Sequence, residues 1–213
     1  MLWGSRVRGF VNSLSEARPQ PPFANPYRSA VAAHNLGVFL TNRDPHARTL
    51  MLIGEAPGYR GAALSGVALT SLAILVDSWL DPWDAFGPEA GYRLPVEPVA
   101  LREATATMVW RSVADVFGDC TLPVTWNAVP FHPRGSFPHS NAPILSGDVS
   151  LGRDFLERLL DMFPNVIPVA VGRRAGDALR SLGADSREVR HPSRGGKNAF
   201  VVGLNDIRAT AFV

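Results

Sequence analysis

Lysine is almost missing from this chain. Lys197 is the only one among 21 basic residues, so arginine carries nearly all the positive charge against 19 acidic residues. A guanidinium is a planar fork that grips a phosphate or carboxylate with two parallel hydrogen bonds, which an ammonium does not do. The formal net charge is only +2, which rules out a strongly polybasic protein, although the sequence pI is about 9.1. Such a balance permits a nucleic-acid partner without demanding one, and a genome-wide codon bias would produce the same arginine excess. Cysteine is equally scarce. Cys120 stands alone, which excludes an intrachain disulfide, a Cys-ligated iron–sulfur cluster and a Cys-based structural zinc site. Its plainest role is that of a small buried apolar residue.

Long apolar runs are lacking too. No stretch of about 18 apolar residues occurs, so no transmembrane helix is expected. Met1–Phe10 has no hydrophobic signal core, which points to a cytoplasmic protein that is not membrane-bound. There is no internal repeat and no low-complexity tract. What is present is an ordinary globular composition, 46% hydrophobic and 19% charged over 213 residues. A chain of that size and content has enough apolar surface to bury a core, and disorder is not expected. The expectation is one domain over residues 1–213, with residues 1–45 as a helical extension packed on it.

Short continuous apolar runs read as strands of a sheet covered on both faces. They are Thr49–Ile53, Val124–Val129, Val166–Val171 and, more weakly, Arg187–Arg190. Pro168 lies in the third run and predicts an edge position for it. Helical patterns cover Arg6–Ala17, Ser29–Leu40, Leu69–Leu80, Val99–Phe117, Leu151–Phe163 and Ala175–Leu182. Arg18–Pro26, with four prolines, reads as loop, as do the long polar segments Pro82–Pro98 and Phe131–Gly147. Strands alternating with helices predict an α/β fold: three layers, α/β/α, around a short, mainly parallel sheet of about four strands.

Polar clusters follow three of the strands, and in an open parallel sheet ligands bind beyond the carboxyl ends. The clusters around Glu55, Asn127 and His191 are therefore expected to line one pocket. Gly54–Glu55–Ala56–Pro57–Gly58 lacks the spacing of a P-loop or a dinucleotide fingerprint. Its glycines permit close approach to a ligand, and Glu55 places one carboxylate there; a tight turn with a solvated Glu would look the same. Asn127 is an amide in an apolar strand, with the donors and acceptor that match a nucleobase edge. A structural amide bonded to a neighbouring loop would look the same. His191, fixed by Pro192, could donate a hydrogen bond to a developing anion. Arg194 and Lys197, with Gly195 and Gly196, suit phosphates. A lone histidine satisfied within the fold remains the alternative.

Together and in order these motifs resemble the uracil-DNA glycosylase superfamily. Gly54–Glu55–Ala56–Pro57–Gly58 is similar to the first motif of its thermophilic-type branch. Gly66–Val67–Ala68–Leu69–Thr70–Ser71 is similar to the Gly-x-x-Phe-Ser/Thr segment that follows, and His191–Pro192–Ser193 matches the His-Pro-Ser motif of the intercalating loop. The likeness spans about Leu50 to Phe200. It implies hydrolysis of the N-glycosidic bond of a flipped-out uracil or other deaminated base, in base-excision repair. DNA, single- or double-stranded, would be the partner, and the protein would act as a monomer without cofactor or metal. It also implies roles. Glu55 and His191 would be catalytic, with Ala56, Leu69 and Asn127 around the base. Gly58, Ser193, Arg194 and Lys197 would lie on DNA. Three departures stand out. Ala56 occupies the position of the family's Asp, Leu69 that of its stacking Phe, and the four cluster cysteines of the thermophilic-type branch are missing. An atypical, cluster-free branch with altered or weak activity follows. Two rivals stay open: a non-catalytic DNA-binding module, and a hydrolase of free nucleosides or nucleotides.

Overall fold

The computed structural model describes residues 2–77, 81–96, 102–137 and 139–212. Two helices, α1 (Trp3–Glu16) and α2 (Ala30–Thr41), precede the first strand of the main sheet, β2 (Leu50–Gly54). Between them a two-residue strand, β1 (Phe23–Ala24), lies inside the segment expected to be loop and pairs antiparallel with β4 (His132–Pro133). After β2 come the short helices α3 (Ala62–Ser65) and α4 (Leu72–Val76), then α5 (Ala104–Phe117) and β3 (Val124–Asn127). The chain continues through α6 (Arg153–Met162), β5 (Ile167–Val171), α7 (Arg173–Ser181), β6 (Arg187–Val189) and α8 (Lys197–Ala211). Residues 78–80 of the expected helix Leu69–Leu80, residues 99–101 of Val99–Phe117 and the last two residues of Pro82–Pro98 lie outside the described residues.

Among the described residues the main sheet has four strands, all parallel, in the order β3-β2-β5-β6. β2 and β5 read as continuous apolar runs because both faces are covered, whereas β6, at the edge, keeps Arg187 and Glu188 exposed. Successive side chains point to opposite faces. Met51 and Ile53 join Trp126, Phe10, Leu36, Leu156 and Leu179 in one buried cluster, whereas Leu50 and Leu52 join Val113, Phe117, Phe200 and Leu204 in another. α5 and α8 thus cover one face, while α1, α2, α6 and α7 cover the other, giving the expected three layers. Trp126 is fully buried between Phe10, edge-on at 5.3 Å, and Tyr27, stacked at 6.4 Å. Removing a ring buried like this typically costs about 3–5 kcal/mol.

Pro168 does not mark an edge. β5 is an interior strand between β2 and β6. The Ile167 N–H donates to Thr49 O on the β2 side (2.8 Å), so the donor missing at Pro168 would face β6. There the pairing starts only at Val169↔Arg187, and no ladder bond is lost. The glycine–lysine stretch after His191 also departs from expectation. Lys197 is the first residue of the 15-residue helix α8, not part of a loop.

Candidate active site

Because the sheet is parallel, β2, β3, β5 and β6 end on one edge, at Gly54, Asn127, Val171 and Val189. β3 lies to one side of β2 and β5 to the other, so the chain leaves this edge in opposite directions, the kind of reversal at which open parallel sheets bind ligands.

Gly54 and Asn127 are register partners at that edge. A Cβ on Gly54 would come 2.8 Å from Asn127 Oδ1 and 2.8 Å from Leu69 Cδ2, so both side chains lie directly against this glycine. Strand alternation puts them on the α5–α8 face. Asn127 is 2% exposed and its Nδ2 has no hydrogen-bond partner in the described structure. A buried donor left unpaired costs about 1–3 kcal/mol, which folding tolerates readily where a ligand supplies the partner. Leu69 adopts φ +54°, a left-handed conformation that is strained for a leucine. The segment before it is clamped. Ser65 Oγ donates to the carbonyls of Val67 (3.1 Å) and Thr70 (2.9 Å), and Trp110 Nε1 donates to Thr70 Oγ1 (2.9 Å). Gly66, at φ +77°, lies so close to the Ala32 carbonyl that any Cβ would collide with it. This clamp also explains why α4 starts at Leu72 rather than Leu69.

The loop after Gly54 runs the other way. The Ala128 N–H donates to Gly54 O (2.8 Å) and the Val129 N–H to Glu55 O (3.0 Å), extending the β2–β3 contact past the strand ends. Glu55 keeps an exposed side chain. Crowding by protein pushes its carboxyl above the ordinary carboxylate value, opposed by an Ile144 backbone N–H and the charges of Arg174 and Arg173. Its surroundings are thus the start of α7, and among the described residues no hydrogen bond joins it to Asn127 or His191. Ala56 is half-buried against the α6–α7 side core. Pro57 O accepts from His132 Nδ1 (2.8 Å), and the Tyr59 N–H donates to Asn141 Oδ1 (3.1 Å), which holds Gly58 between two fixed points.

His191 follows β6 and sits beside the end of β5, where a Cβ on Gly172 would be 3.3 Å from its own Cβ. The Ser193 backbone N–H donates to His191 Nδ1 (3.2 Å), and Ser193 Oγ lies 2.8 Å from the same nitrogen. A nitrogen that accepts carries no proton, so the neutral ring holds its proton on Nε2, where it is a donor. Burial lowers the His191 pKa below its ordinary 6.5; the charge of Glu103 opposes this, while those of Arg190 and Arg194 reinforce it. The ring is neutral at pH 7. Ser193 is therefore committed to orienting His191. Arg194 (φ +52°) and Gly195 (φ +76°) turn the chain sharply, leaving Arg194 and Lys197 exposed.

Glu103 went unnoticed in the sequence. It is the N-cap of α5, accepting from the Thr105 N–H (2.8 Å) and the Ala106 N–H (2.6 Å). Its side chain also runs beside the first loop: a Cβ on Gly61 would lie 3.6 Å from Glu103 Cγ and 3.5 Å from Thr70 O. Glutamate is not a favoured N-cap type, so the sequence carries no capping signal that marks it. The structure places Leu69 and Asn127 together against Gly54, sets His191 after β6 beside Gly172, and leaves Glu55 with an exposed side chain just past the end of β2. Among the described residues no group of His, Cys, Asp and Glu has an arrangement suited to a metal ion, and no helix is long and apolar enough to cross a membrane.

No protein-family model matches the sequence, and no curated protein does. A solved structure of wild-type Pedobacter heparinus SMUG2 is similar over 100% of both chains, with a TM-score of 0.69 at 14% sequence identity. At that identity the likeness concerns the fold.

Proposed function

We propose that this chain is a DNA glycosylase that hydrolyses the N-glycosidic bond of a flipped-out uracil or other deaminated base. The observation that carries the reading is the buried, unpartnered Nδ2 of Asn127 beneath Leu69, at the sheet edge that also presents His191. The fold shared with SMUG2 supports it. In this reading the flipped base enters at the sheet edge where Asn127 and Leu69 converge on Gly54. Asn127 reads its edge through the free amide, and Leu69 covers its face without aromatic stacking. As the glycosidic bond breaks, the electron pair stays on the base and the sugar becomes oxocarbenium-like. The Nε2–H of His191 donates to the base anion, and water adds to the sugar, losing its proton to solvent or to the departing base. A fixed donor aimed where charge develops stabilises the transition state more than the ground state. Arg194 and Lys197 hold phosphates.

A second reading, a DNA-binding module with little or no catalysis, is favoured by Ala56 and by the surroundings of Glu55. No carboxylate extends from position 56, and Glu55 carries an exposed side chain on which the charges of Arg174 and Arg173 act. The deciding experiment is single-turnover release of uracil, hypoxanthine and xanthine from oligonucleotides, by wild type and by His191→Ala. The variant should lose about 10²–10³ in rate with little change in DNA affinity. Release of no base by the wild type, with DNA binding retained, would establish the module reading instead.

A further inference from the structure

A second concavity lies on the far side of the first loop. After β4 the chain folds back as a hairpin, with Arg134 bridged to Asn141. Together with Tyr59 and α3 this hairpin encloses a groove of about 550 Å³. Tyr59, His132, Arg134, Phe137 and His139 line it, and among the described residues no carboxylate does. The Tyr59 and His139 rings stand 6.2 Å apart, and the Arg60 guanidinium lies 5.4 Å over Tyr59. Phe137 is 77% exposed although its turn is well braced. Ser140 Oγ accepts from the Phe137 N–H (3.2 Å) and donates to the Phe137 carbonyl (2.6 Å). A Cβ on Gly135 would collide with that hydroxyl, so the hairpin closes tightly.

These features define a chemical class. Exposed rings offer a face to a planar group, and a guanidinium without a competing carboxylate offers charge to an anion. A nucleotide has both. A volume of this order suits one small ligand. The groove is also tied to the sheet edge: His132 donates to Pro57 O and Asn141 accepts from the Tyr59 N–H, so the loop that borders the site forms one wall of the groove. We infer that the groove between Tyr59 and the Arg134–Asn141 hairpin is a subsite for the nucleotide flanking the flipped-out one on the same strand. Its base stacks on Phe137 and its phosphate meets Arg134. The subsite rests on the glycosylase reading, because that reading fixes where the strand enters.

The test uses single-stranded oligonucleotides carrying one tetrahydrofuran abasic analogue, lengthened by one nucleotide at a time on the 5′ or the 3′ side. Wild-type affinity should rise at one particular extension. Phe137→Ala should remove about fivefold or more of that rise, and Phe137→Trp should restore it. A base-less spacer at the same position should imitate Phe137→Ala. Arg134→Ala should weaken the same step and flatten its salt dependence. Unchanged affinity of both alanine variants for the shortest oligonucleotide shows that they are folded. A rise that is equal in wild type, Phe137→Ala and Arg134→Ala, or no rise on either side, overturns the subsite and leaves the glycosylase reading standing. No binding of the wild type to any of these oligonucleotides overturns both.

Discussion

Replacing Gly54 by alanine tests the centre of the site with a single methyl group. Gly54 closes β2 with ordinary backbone angles, so alanine brings no backbone strain there, only volume. The new Cβ would lie 2.8 Å from Asn127 Oδ1 and from Leu69 Cδ2, about 0.6 Å short of ordinary contact at 3.4 Å. Asn127 is 2% exposed, and Leu69 already sits at a strained φ of +54°. Overpacking of this kind costs about 1–3 kcal/mol. For a domain of this size each kcal/mol lowers the melting temperature by roughly 2–4 °C, so a fall of about 2–12 °C is expected. The same displacement moves both proposed base contacts, and a shift approaching 1 Å can cost about a hundredfold in rate; excision should drop by at least tenfold. Thermal melts and single-turnover excision measure the two effects. Leu69→Ala in the Gly54→Ala background should recover part of the melting temperature, a coupling of about 0.5–3 kcal/mol between neighbours. If Gly54→Ala melts and reacts like wild type, then Asn127 and Leu69 do not converge on this glycine and the site has been misplaced.

Asn127→Asp exchanges a donating amide for a group that only accepts when ionised; the pattern of excised bases should change, and identical relative rates across a base panel would make Asn127 structural. His191 makes stability depend on pH. Its folded pKa is below 6.5, so as pH falls through 6.5 the unfolded chain takes up a proton that the folded ring resists, and stability drops until the folded pKa is passed. His191→Gln should remove this component from melts recorded across that range. Glu103→Gln removes the charge that opposes the shift, so the His191 ring should titrate at still lower pH by NMR; an unchanged midpoint would show that Glu103 does not act on it. Arg194→Ala should reduce the slope of log affinity against log salt by about one, with sequence preference unaltered.

The layered architecture was legible because buried parallel strands write themselves as apolar runs, and Thr49–Ile53 and Val124–Val129 differ from the observed strands only at their ends. Pro168 misled because an isolated proline reveals a missing donor but not which neighbour the donor would have faced. α8 was invisible for a packing reason. Gly203 weakens the helical pattern, yet a Cβ there would lie 2.8 Å from Val189 Cγ1, so the glycine lets the helix close on β6. β1 and β4 are two residues each and leave no periodicity to read. In the site, the arrival of the strand ends at Gly54, Asn127 and Val189 on one edge of the sheet was foreseeable from the alternation of strands and helices. The packing of Leu69 against Gly54 was not, since it depends on the turn at Gly66 and its close approach to the Ala32 backbone.

The scarcity of lysine has a practical consequence once Lys197 is located. Its side chain is exposed on the first turn of α8, next to the Arg194 turn. An amine-reactive fluorophore or cross-linker therefore finds one lysine to modify, and it stands where the strand is proposed to pass. The molecule thus carries a built-in attachment point for a reporter of DNA engagement, with no residue needing to be introduced or removed.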